Sequence, residues 1–471
     1  MVRIDQPTTH MTVLSRRRFL AASAASAASA GTSAIAATGD FDVVIIGAGA
    51  AGIAAARRLA GNKVRIAFIE ASGRLGGRCF TDSSTFGVPF DRGARWIHVP
   101  DLNPVTPLAM KSGFDIYPAP SDQRVRIGRR YARTGEMEDY LTATVRANRS
   151  IAEAGRGRQD VSCAQALPKD LGDWQPTIEF VLGPFGCAKD LAEVSALDFS
   201  RSVERNNDMF CREGLGALIA KLADGLPVQL SRPASLIDWS ERNRIEIRTA
   251  KGLLVARTVI VTVSTGVLMS DKLKFEPELP RRYLDAIEKL RLGSYDHIAL
   301  ELPGNPLVLQ RDELVFEKAG SSRTAAILAN ISGTTLCTIE VAGKFGADLA
   351  ASGEPAMVSF ALDWLTGLYG ADIRKAVKRT SATRWNYEPW TLGAFSAAAP
   401  GGQWARAALA EPVRDRIFFA GEATHETLWG TVGGAWASGE RAADAALRKL
   451  GLTGAPPESN RPATSRPSRR G

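Results

Sequence analysis

The chain has 471 residues, of which 45% are hydrophobic and 23% are charged. This composition is typical of a globular protein of two or three domains, and it excludes a disordered, a collagen-like or a multi-span membrane protein. The formal net charge is +9, but residues 1–37 and 454–471 each contribute +3, which leaves +3 on the body of the chain and no basic run there to indicate a nucleic-acid partner.

Residues 1–37 have the organisation of a cleavable export signal. Arg16, Arg17 and Arg18 precede Phe19 and Leu20, and an Ala/Ser-rich stretch follows that ends in small residues at A-x-A spacing. Paired arginines before Phe-Leu resemble the twin-arginine signal, which exports folded, cofactor-loaded proteins. A short membrane anchor is the alternative, but the stretch is too weakly apolar to be a good span. We expect a bacterial periplasmic or secreted protein without a stable membrane anchor.

A strand, a glycine-rich turn, a helix and a second strand open the body of the chain. The strands are predicted over residues 42–46 and 64–69, and the helix over residues 53–59. This is the βαβ dinucleotide fingerprint, in which the helix N-terminus faces the phosphates. Glu70 ends the second strand and can accept hydrogen bonds from ribose hydroxyls. The residues of the turn that we expect against the dinucleotide are Gly47, Gly49, Ala51 and Gly52.

The segment that follows Glu70 favours a flavin over a nicotinamide. Residues 74–78 read Arg-Leu-Gly-Gly-Arg, which resembles the G-G-R stretch of the FAD-dependent amine oxidase family. The resemblance implies that this stretch lies along the flavin diphosphate, where Gly77 allows close backbone approach and Arg78 neutralises phosphate charge. Ser72 departs from the family, which often has another arginine at that position.

The resemblance to amine oxidases extends over most of the chain. It is carried by five further blocks in family order, which are residues 91–98, 226–237, 259–268, 385–395 and 418–432. The family pattern implies one strand over residues 226–237 and another over residues 259–268. A helix is predicted over residues 433–447 with its N-terminus towards the cofactor. The further residues that the resemblance places against FAD are Gly93, Ala94, Arg95, Trp96, Ala234, Trp385, Gly421, Glu422, Thr431 and Val432.

The resemblance also indicates how the flavin is held and covered. Ala394 stands where monoamine oxidases have the cysteine of their covalent flavin link, so we expect FAD to be bound non-covalently. Phe395 and Thr431 stand where those enzymes have the two tyrosines of an aromatic cage. We expect a cage rebuilt from Phe395, Trp390 and Trp429, although core packing explains the two tryptophans equally well.

The loop of residues 91–98 bears on the substrate. His98 matches polyamine oxidases, which place a His or Glu there to meet a substrate nitrogen, and an imidazole can accept a hydrogen bond from an amine. A buried structural histidine is the alternative. Amino-acid oxidases and tryptophan monooxygenases have a carboxylate-binding arginine in this loop at the position of Trp96. Arg95 lies one residue early, and such a shift turns a side chain away, so an amine is favoured over an α-amino acid unless a bulge corrects the register.

His297 is the largest departure from the family. The family has a lysine there, at the start of a strand, and that lysine holds a water against flavin N5. The strand is predicted here over residues 297–302. We expect His297 to keep the water-bridging role but to lack the constant positive charge, so that oxygen reactivity falls. The electron acceptor is then either O2 or a periplasmic carrier such as a cytochrome. That His297 is only a strand residue is the alternative.

The sequence predicts an α/β protein of the amine oxidase fold. A Rossmann-type FAD-binding domain is interleaved with an α+β substrate domain, and the active site lies between them. We expect the oxidation of a monoamine or polyamine to an imine, which water hydrolyses to an aldehyde or ketone. The alternatives are an L-amino-acid oxidase or tryptophan 2-monooxygenase, and a flavin-binding protein without catalysis. The predicted segments are residues 40–120, 205–275 and 385–450 for the FAD domain, 121–204 and 276–384 for the substrate domain, and 454–471 for a disordered tail.

No metal site is predicted. The chain has five cysteines at scattered positions without a CxxC pair, and it lacks the His and acidic motifs of zinc and calcium sites.

Overall fold

The computed structural model describes residues 38–121, 123–203 and 207–452. The predicted export signal and C-terminal tail therefore lie outside the described residues. The strands are β1 (Thr38–Ile46), β2 (Ile66–Ile69), β3 (Thr81–Asp82), β4 (Phe90–Asp91), β5 (Ile116–Pro118), β6 (Gln123–Ile127), β7 (Arg130–Tyr131), β8 (Met209–Cys211), β9 (Val228–Gln229), β10 (Ala234–Asp238), β11 (Ile245–Thr249), β12 (Gly252–Val261), β13 (Lys274–Glu276), β14 (Tyr295–Glu301), β15 (Glu313–Glu317), β16 (Ala326–Ala329), β17 (Leu336–Ala342), β18 (Thr380–Ala382) and β19 (Ile417–Phe419). The α-helices are α1 (Ala50–Leu59), α2 (Val105–Lys111), α3 (Thr134–Ala154), α4 (Cys163–Ala166), α5 (Gln175–Phe180), α6 (Ala196–Arg201), α7 (Leu215–Lys221), α8 (Thr265–Leu268), α9 (Arg281–Lys289), α10 (Gly343–Ala351), α11 (Glu354–Tyr369), α12 (Ile373–Ala376), α13 (Trp404–Ala410) and α14 (Val432–Lys449).

The first sheet brings the cofactor motifs to one edge. Its order is β13-β10-β11-β12-β1-β2-β9, with β19 beside the end of β12. Strand β1 runs parallel to β2 and β12, and β12 runs parallel to β19. The carboxyl ends of these strands therefore lie at the same edge, which is where α/β sheets bind ligands. The residues that follow them are Gly47, Glu70, Thr262 and Gly421.

Helices cover both faces of this sheet. Val43 and Ile45 point to one side, into a core that they share with α1 and α14. The two helices pack closely, since a Cβ at Gly439 would lie 2.0 Å from the carbonyl oxygen of Ala51. Val44 and Ile46 point to the other side, into a core with α9 and α13. Burial on both faces explains why the β1 sequence is apolar without alternation.

The second sheet has the order β18-β14-β17-β16-β15-β6-β7 and supplies the opposite wall of the site. Ile298 and Leu300 of β14 face a core with α10 and α11. Ala299, one residue along, faces the other side, where α3 and α5 pack. Strands β14 and β17 are antiparallel, and their register places His297 directly opposite Glu340.

Two predicted strands are shorter or divided. The strand predicted over residues 259–268 ends at Val261, because the Ser264 side chain accepts a hydrogen bond from the Val267 amide and caps α8. Residues 226–237 contain two strands, β9 and β10, in place of one. Within the described part of the chain, none of the helices is long and apolar enough to cross a membrane.

Candidate functional site

A cavity of about 860 Å³ lies between the two sheets. Its lining includes the carboxyl edge of the first sheet and side chains from β6, β14 and β15 of the second. All the predicted site residues line this cavity except Gly52 and Trp429. Motifs spread over almost four hundred residues are thus brought to one place.

The turn after β1 leaves room for an anion at the start of α1. Gly47 has a φ of +103°, and a Cβ at Gly52 would lie 1.8 Å from the Gly47 carbonyl oxygen, so both positions require glycine. A Cβ at Gly49, in contrast, meets no protein atom closer than 3.8 Å. No side chain caps α1, and its first residues, Ala50 and Ala51, line the cavity. An uncapped helix N-terminus of this kind suits a diphosphate.

Glu70 lies at the end of β2 with its carboxylate buried. One carboxylate oxygen accepts a hydrogen bond from the Ala48 amide at 2.7 Å, and the other accepts one from the Ser72 amide at 2.7 Å. Each oxygen keeps a second lone pair, so a ribose hydroxyl can still donate to it. Glu70 therefore fixes the glycine turn as well as facing the cavity.

Arg78 and Glu422, which the sequence predicts as separate FAD ligands, form an ion pair. Arg78 Nη1 donates to Glu422 Oε1 at 2.9 Å and to the Ala394 carbonyl oxygen at 2.5 Å. Glu422 also accepts hydrogen bonds from the Ser396 hydroxyl at 2.7 Å and the Gly430 amide at 3.0 Å. The pair thus joins the G-G-R segment to two loops near the C-terminus, and the charge of Arg78 has a protein partner that the sequence did not indicate.

Arg74 is a cavity residue that the prediction missed, although it lies in the same segment. Its Nη1 donates to the Gly77 carbonyl oxygen at 2.6 Å, and its guanidinium lies 4.4 Å from the centre of the Phe80 ring. Burial lowers the pKa of Arg74. Its place two residues before the Gly76-Gly77 pair is the sequence signal that could have identified it as a cavity residue.

The loop around Gly93 is tightly packed. A Cβ at Gly93 would lie 2.0 Å from the Arg78 carbonyl oxygen and 2.9 Å from the Trp385 ring. The Trp385 indole donates to the Arg92 carbonyl oxygen at 2.8 Å. Gly93 is therefore required by the packing of the G-G-R segment and Trp385 against this loop.

Arg95 lines the cavity and also a small second pocket that contains Asp91, Phe210 and Ser332. Only 5% of its surface is exposed, and Nη1 and Nη2 have no hydrogen-bond partner among the described residues. Its charge acts on the carboxylates of Asp91, Asp312 and Glu340.

His98 forms a pair with Asp208, a residue for which the sequence offers no motif. His98 Nδ1 lies 2.7 Å from Asp208 Oδ2, and the Val99 amide donates to Asp208 Oδ1 at 3.2 Å. A carboxylate can only accept, so Nδ1 carries a proton and the lone pair of a neutral ring is on Nε2. Both residues line the cavity. The Trp96 ring lies parallel to the His98 ring at 6.1 Å.

His297 lies inside β14, which begins at Tyr295, and its ring has two protein partners. Nδ1 is hydrogen-bonded to the Glu340 carboxylate, and Nε2 donates to the Gly93 carbonyl oxygen at 3.1 Å. Both ring nitrogens thus have protein partners that the sequence did not indicate, and the expected role of holding a water stays a prediction. The cross-strand register of β14 and β17 is the physical reason for the contact with Glu340.

The aromatic residues over the cavity differ from the predicted cage. Phe395 and Trp390 line the cavity, and the centre of the Tyr295 ring lies 6.0 Å from the centre of the Phe395 ring. Trp429 is buried elsewhere: its indole donates to the Asp198 carbonyl oxygen at 3.3 Å and stacks with a buried arginine of α13. Its predicted role in the cage is therefore wrong, and Tyr295 is the ring that the sequence did not reveal.

Helix α14 begins at the cavity. Thr431 caps it by accepting a hydrogen bond from the Gly434 amide at 3.0 Å. Thr431, Val432 and Ala435 line the cavity, so the positive end of an 18-residue helix faces it. Ala234 of β10 and Gly421 after β19 contribute to the same lining.

The cavity residues fit a flavin dinucleotide and give no indication of a metal. The fit rests on the uncapped N-terminus of α1, the open space at Gly49 and the buried acid at Glu70. Among the described residues, no group of three or more His, Cys, Asp or Glu side chains could hold a metal ion.

Residues 50–447 match the family of flavin containing amine oxidoreductases. The chain belongs to this family. The membership confirms the predicted amine oxidase fold, the FAD cofactor and flavin-dependent oxidation of an amine.

Several relatives resemble the chain over most of its length. It is 26% identical to a probable polyamine oxidase 4 of Arabidopsis thaliana, with 87% of each protein covered. It is 28% identical to polyamine oxidase 5 of Oryza sativa subsp. japonica, with 87% of this chain and 88% of the relative covered. It is also 26% identical to the human lysine-specific histone demethylase 2, of whose length it spans only 53%.

Solved structures support the fold. A putrescine oxidase bound to putrescine superposes with a TM-score of 0.72 at 20% identity, covering 87% of this chain and 99% of that one. The cyclohexylamine oxidase of Brevibacterium oxydans IH-35A gives a TM-score of 0.74 at 20% identity, covering 88% of this chain and all of that one.

Proposed function

We propose that this chain oxidises a monoamine or a polyamine to an imine, with FAD bound non-covalently. The proposal is carried by one cavity in which the dinucleotide turn and the His98–Asp208 pair meet the aromatic residues of the second sheet. Polyamine, putrescine and cyclohexylamine oxidases among the relatives support an amine as the substrate. Trp96 stands where amino-acid oxidases have a carboxylate-binding arginine, which favours an amine over an α-amino acid.

The side chains around the cavity have separate tasks in this reaction. FAD, when bound, accepts a hydride equivalent from the carbon next to the amine nitrogen, and water then hydrolyses the imine. Tyr295 and Phe395 exclude water and favour the neutral, reactive amine. His98 accepts a hydrogen bond from the amine N–H at Nε2, and Asp208 holds the ring in the tautomer that permits it.

An anaerobic substrate panel tests this function. Polyamines, simple amines and amino acids are mixed with the holoprotein without oxygen, and loss of flavin absorbance is followed. We expect amines to bleach the flavin and amino acids to leave it oxidised. Bleaching by amino acids alone would support the amino-acid oxidase alternative, and no bleaching by any compound would leave a flavin-binding protein without catalysis.

Non-covalent attachment is supported by the cysteines. All five lie buried within the described residues, and Cys79 is the one among them that lines the cavity. Burial raises the pKa of Cys79 to about 12, which makes its thiol a poor nucleophile at neutral pH. Unfolding in guanidinium followed by ultrafiltration should release the flavin into the filtrate, whereas flavin retained with the polypeptide would contradict the proposal.

The electron acceptor is proposed to be O2, with a periplasmic carrier such as a cytochrome as the second candidate. Reoxidation of the amine-reduced protein is compared in air and in anaerobic cytochrome c. Faster reoxidation by cytochrome than by air-saturated buffer would favour the carrier.

We further propose export by the twin-arginine route, on the basis of Arg16 and Arg17 before Phe19 and Leu20. In a bacterial host, the full-length chain should be found in the periplasm or the medium. Replacing both residues with lysine (Arg16→Lys and Arg17→Lys) should retain it in the cytoplasm, and unchanged export of that variant would contradict this route.

A further inference from the structure

The hydrogen bonds of His297 restrict where its protons can be. Nε2 faces the carbonyl oxygen of Gly93, which has no proton to give, so Nε2 must carry one. Nδ1 faces the carboxyl group of Glu340, and a single proton must lie between them. If that proton is on Nδ1, His297 is a cation and Glu340 an anion. If it is on Glu340, both groups are neutral.

The surroundings of Glu340 favour the charged arrangement. Its second oxygen accepts a hydrogen bond from the Thr338 hydroxyl at 2.7 Å. The Tyr295 hydroxyl also faces it, and burial together with Glu340 raises the pKa of Tyr295 well above its usual value, so the phenol stays protonated. Burial opposes ionisation of Glu340, but His297, Arg95 and the hydrogen bonds hold its pKa below the usual range.

The other charged groups near the His297 ring do not change which carboxylate shares its proton. Asp296, the next residue on β14, points to the opposite side, where it accepts hydrogen bonds from Thr383 and Trp385. Arg95 comes from the loop of Gly93, and its charge acts on Asp91 and Asp312 as well as on Glu340. The carboxylate nearest to the His297 ring is therefore Glu340, which reaches it from the adjacent strand.

We infer that Glu340 is a positioning residue that keeps His297 doubly protonated and fixes its ring against Gly93, so that the cavity wall carries a constant positive charge. The inference replaces the expectation that the substitution of lysine by histidine removes this charge. Its consequence for oxygen rests on the proposed function. When O2 is the acceptor, it takes up two electrons and two protons to give hydrogen peroxide, and the first electron produces superoxide, an anion that a fixed cation stabilises.

The protonation state can be measured without any turnover. The chain has four histidines, His10, His98, His297 and His425, so labelling with ¹⁵N-histidine gives four imidazole spectra, which His→Gln variants assign. At about pH 8, above the ordinary pKa of histidine of about 6.5, both nitrogens of His297 should show the shifts of N–H groups. A neutral His297 in the wild-type protein would overturn the inference.

Glu340→Gln is the decisive variant. A glutamine can donate to Nδ1 through its amide, so a neutral ring keeps both hydrogen bonds, and we expect His297 to lose one proton at about pH 8. Glu317→Gln is the matched control, because Glu317 is a half-buried carboxylate of the same sheet that binds Thr324 and Trp364 outside the cavity lining. An unchanged His297 spectrum in Glu340→Gln would refute the role of Glu340. If that variant does not fold, Glu340→Asp shortens the side chain and moves the carboxylate away from Nδ1, and we expect the same effect on the His297 spectrum.

The consequence for oxygen is measured on holoprotein reduced chemically with dithionite, so that amine oxidation is not required. Reoxidation in air should slow by about tenfold or more in Glu340→Gln, because the imidazolium charge of His297 at the cavity wall is lost together with the negative charge of Glu340, which does not line the cavity. The rate should be unchanged in Glu317→Gln. Equal rates in all three proteins would contradict the oxygen role while leaving the protonation result intact. Failure of every amine in the substrate panel would contradict the proposed function without affecting either measurement.

Discussion

The Gly49→Ala substitution tests whether the turn after β1 holds the diphosphate. A Cβ at Gly49 would make ordinary contacts with the Gly76 carbonyl oxygen at 3.8 Å and the Gly77 Cα at 4.0 Å, and a φ of −78° with a ψ of −176° suits alanine. The free energy of unfolding of the apoprotein should therefore change by less than about 1 kcal/mol. The added methyl lies at the N-terminus of α1, where it would keep the diphosphate from one or two amide groups. Each hydrogen bond to a charged group contributes about 1.5–3 kcal/mol, so FAD affinity should fall about ten- to a hundredfold.

Gly52→Ala is the matched comparison, because its effect should be on the fold. A Cβ there would lie 1.8 Å from the Gly47 carbonyl oxygen, so α1 would have to shift by about 1 Å or more. We expect a loss of about 3 kcal/mol in the unfolding free energy of the apoprotein. Urea unfolding and titration of the apoprotein with FAD, followed by flavin fluorescence, measure both quantities. A Gly49→Ala protein that binds FAD within twofold of the wild type would refute the diphosphate site.

Three further substitutions test buried groups. Burial raises the pKa of Asp296 to about 6, so its contribution to the unfolding free energy should fall by about 2–3 kcal/mol between about pH 4 and pH 6. Asp296→Asn keeps the acceptor for Thr383 and should remove this decline in urea unfolding; parallel pH curves would contradict the assignment. Asp198→Asn leaves the fully buried Arg406 without its carboxylate and should cost about 3–5 kcal/mol of unfolding free energy; a loss below about 1 kcal/mol would count against the pair. Trp429→Phe should lower stability by about 1–2 kcal/mol but leave anaerobic flavin reduction within twofold, and a larger loss of rate would restore Trp429 to the cage.

The residues that face the cofactor could be predicted from the sequence because the motifs that identify them are local. The glycines at positions 47, 49 and 52 follow an apolar strand directly. The turn requires glycine at positions 47 and 52, and Gly49 leaves open space beside the helix N-terminus. Glu70 follows the next strand, and parallel strands bring the two segments to the same edge. The strand, the turn and the helix lie within thirty residues of one another, so the local sequence is enough to predict how they fold together.

The residues on the substrate side were harder to predict because their hydrogen-bonded pairs come from distant segments of the chain. His98 and Asp208 are 110 residues apart, and His297 and Glu340 are 43 residues apart. The second pair depends on the register between β14 and β17, which the hydrophobic pattern does not specify when both faces of the strands are buried. The error at Trp429 has a similar cause, because its orientation is set by a buried ion pair of α6 and α13 rather than by its neighbours in sequence.

Several basic side chains of the cavity wall are paired with carboxylates of the protein. Three of these basic side chains are hydrogen-bonded to carboxylates from other parts of the chain: Arg78 to Glu422, His98 to Asp208 and His297 to Glu340. Such pairs fix the orientation of each basic side chain, but they also leave less positive charge to neutralise a bound diphosphate. The negative charge of FAD must then be met largely by backbone amides at the start of α1, which no side chain caps. For this reason we expect cofactor affinity to respond more strongly to a methyl group at Gly49 than to neutralisation of Arg78, and a larger loss on Arg78→Gln than on Gly49→Ala in the same FAD titration would contradict this account of the charge.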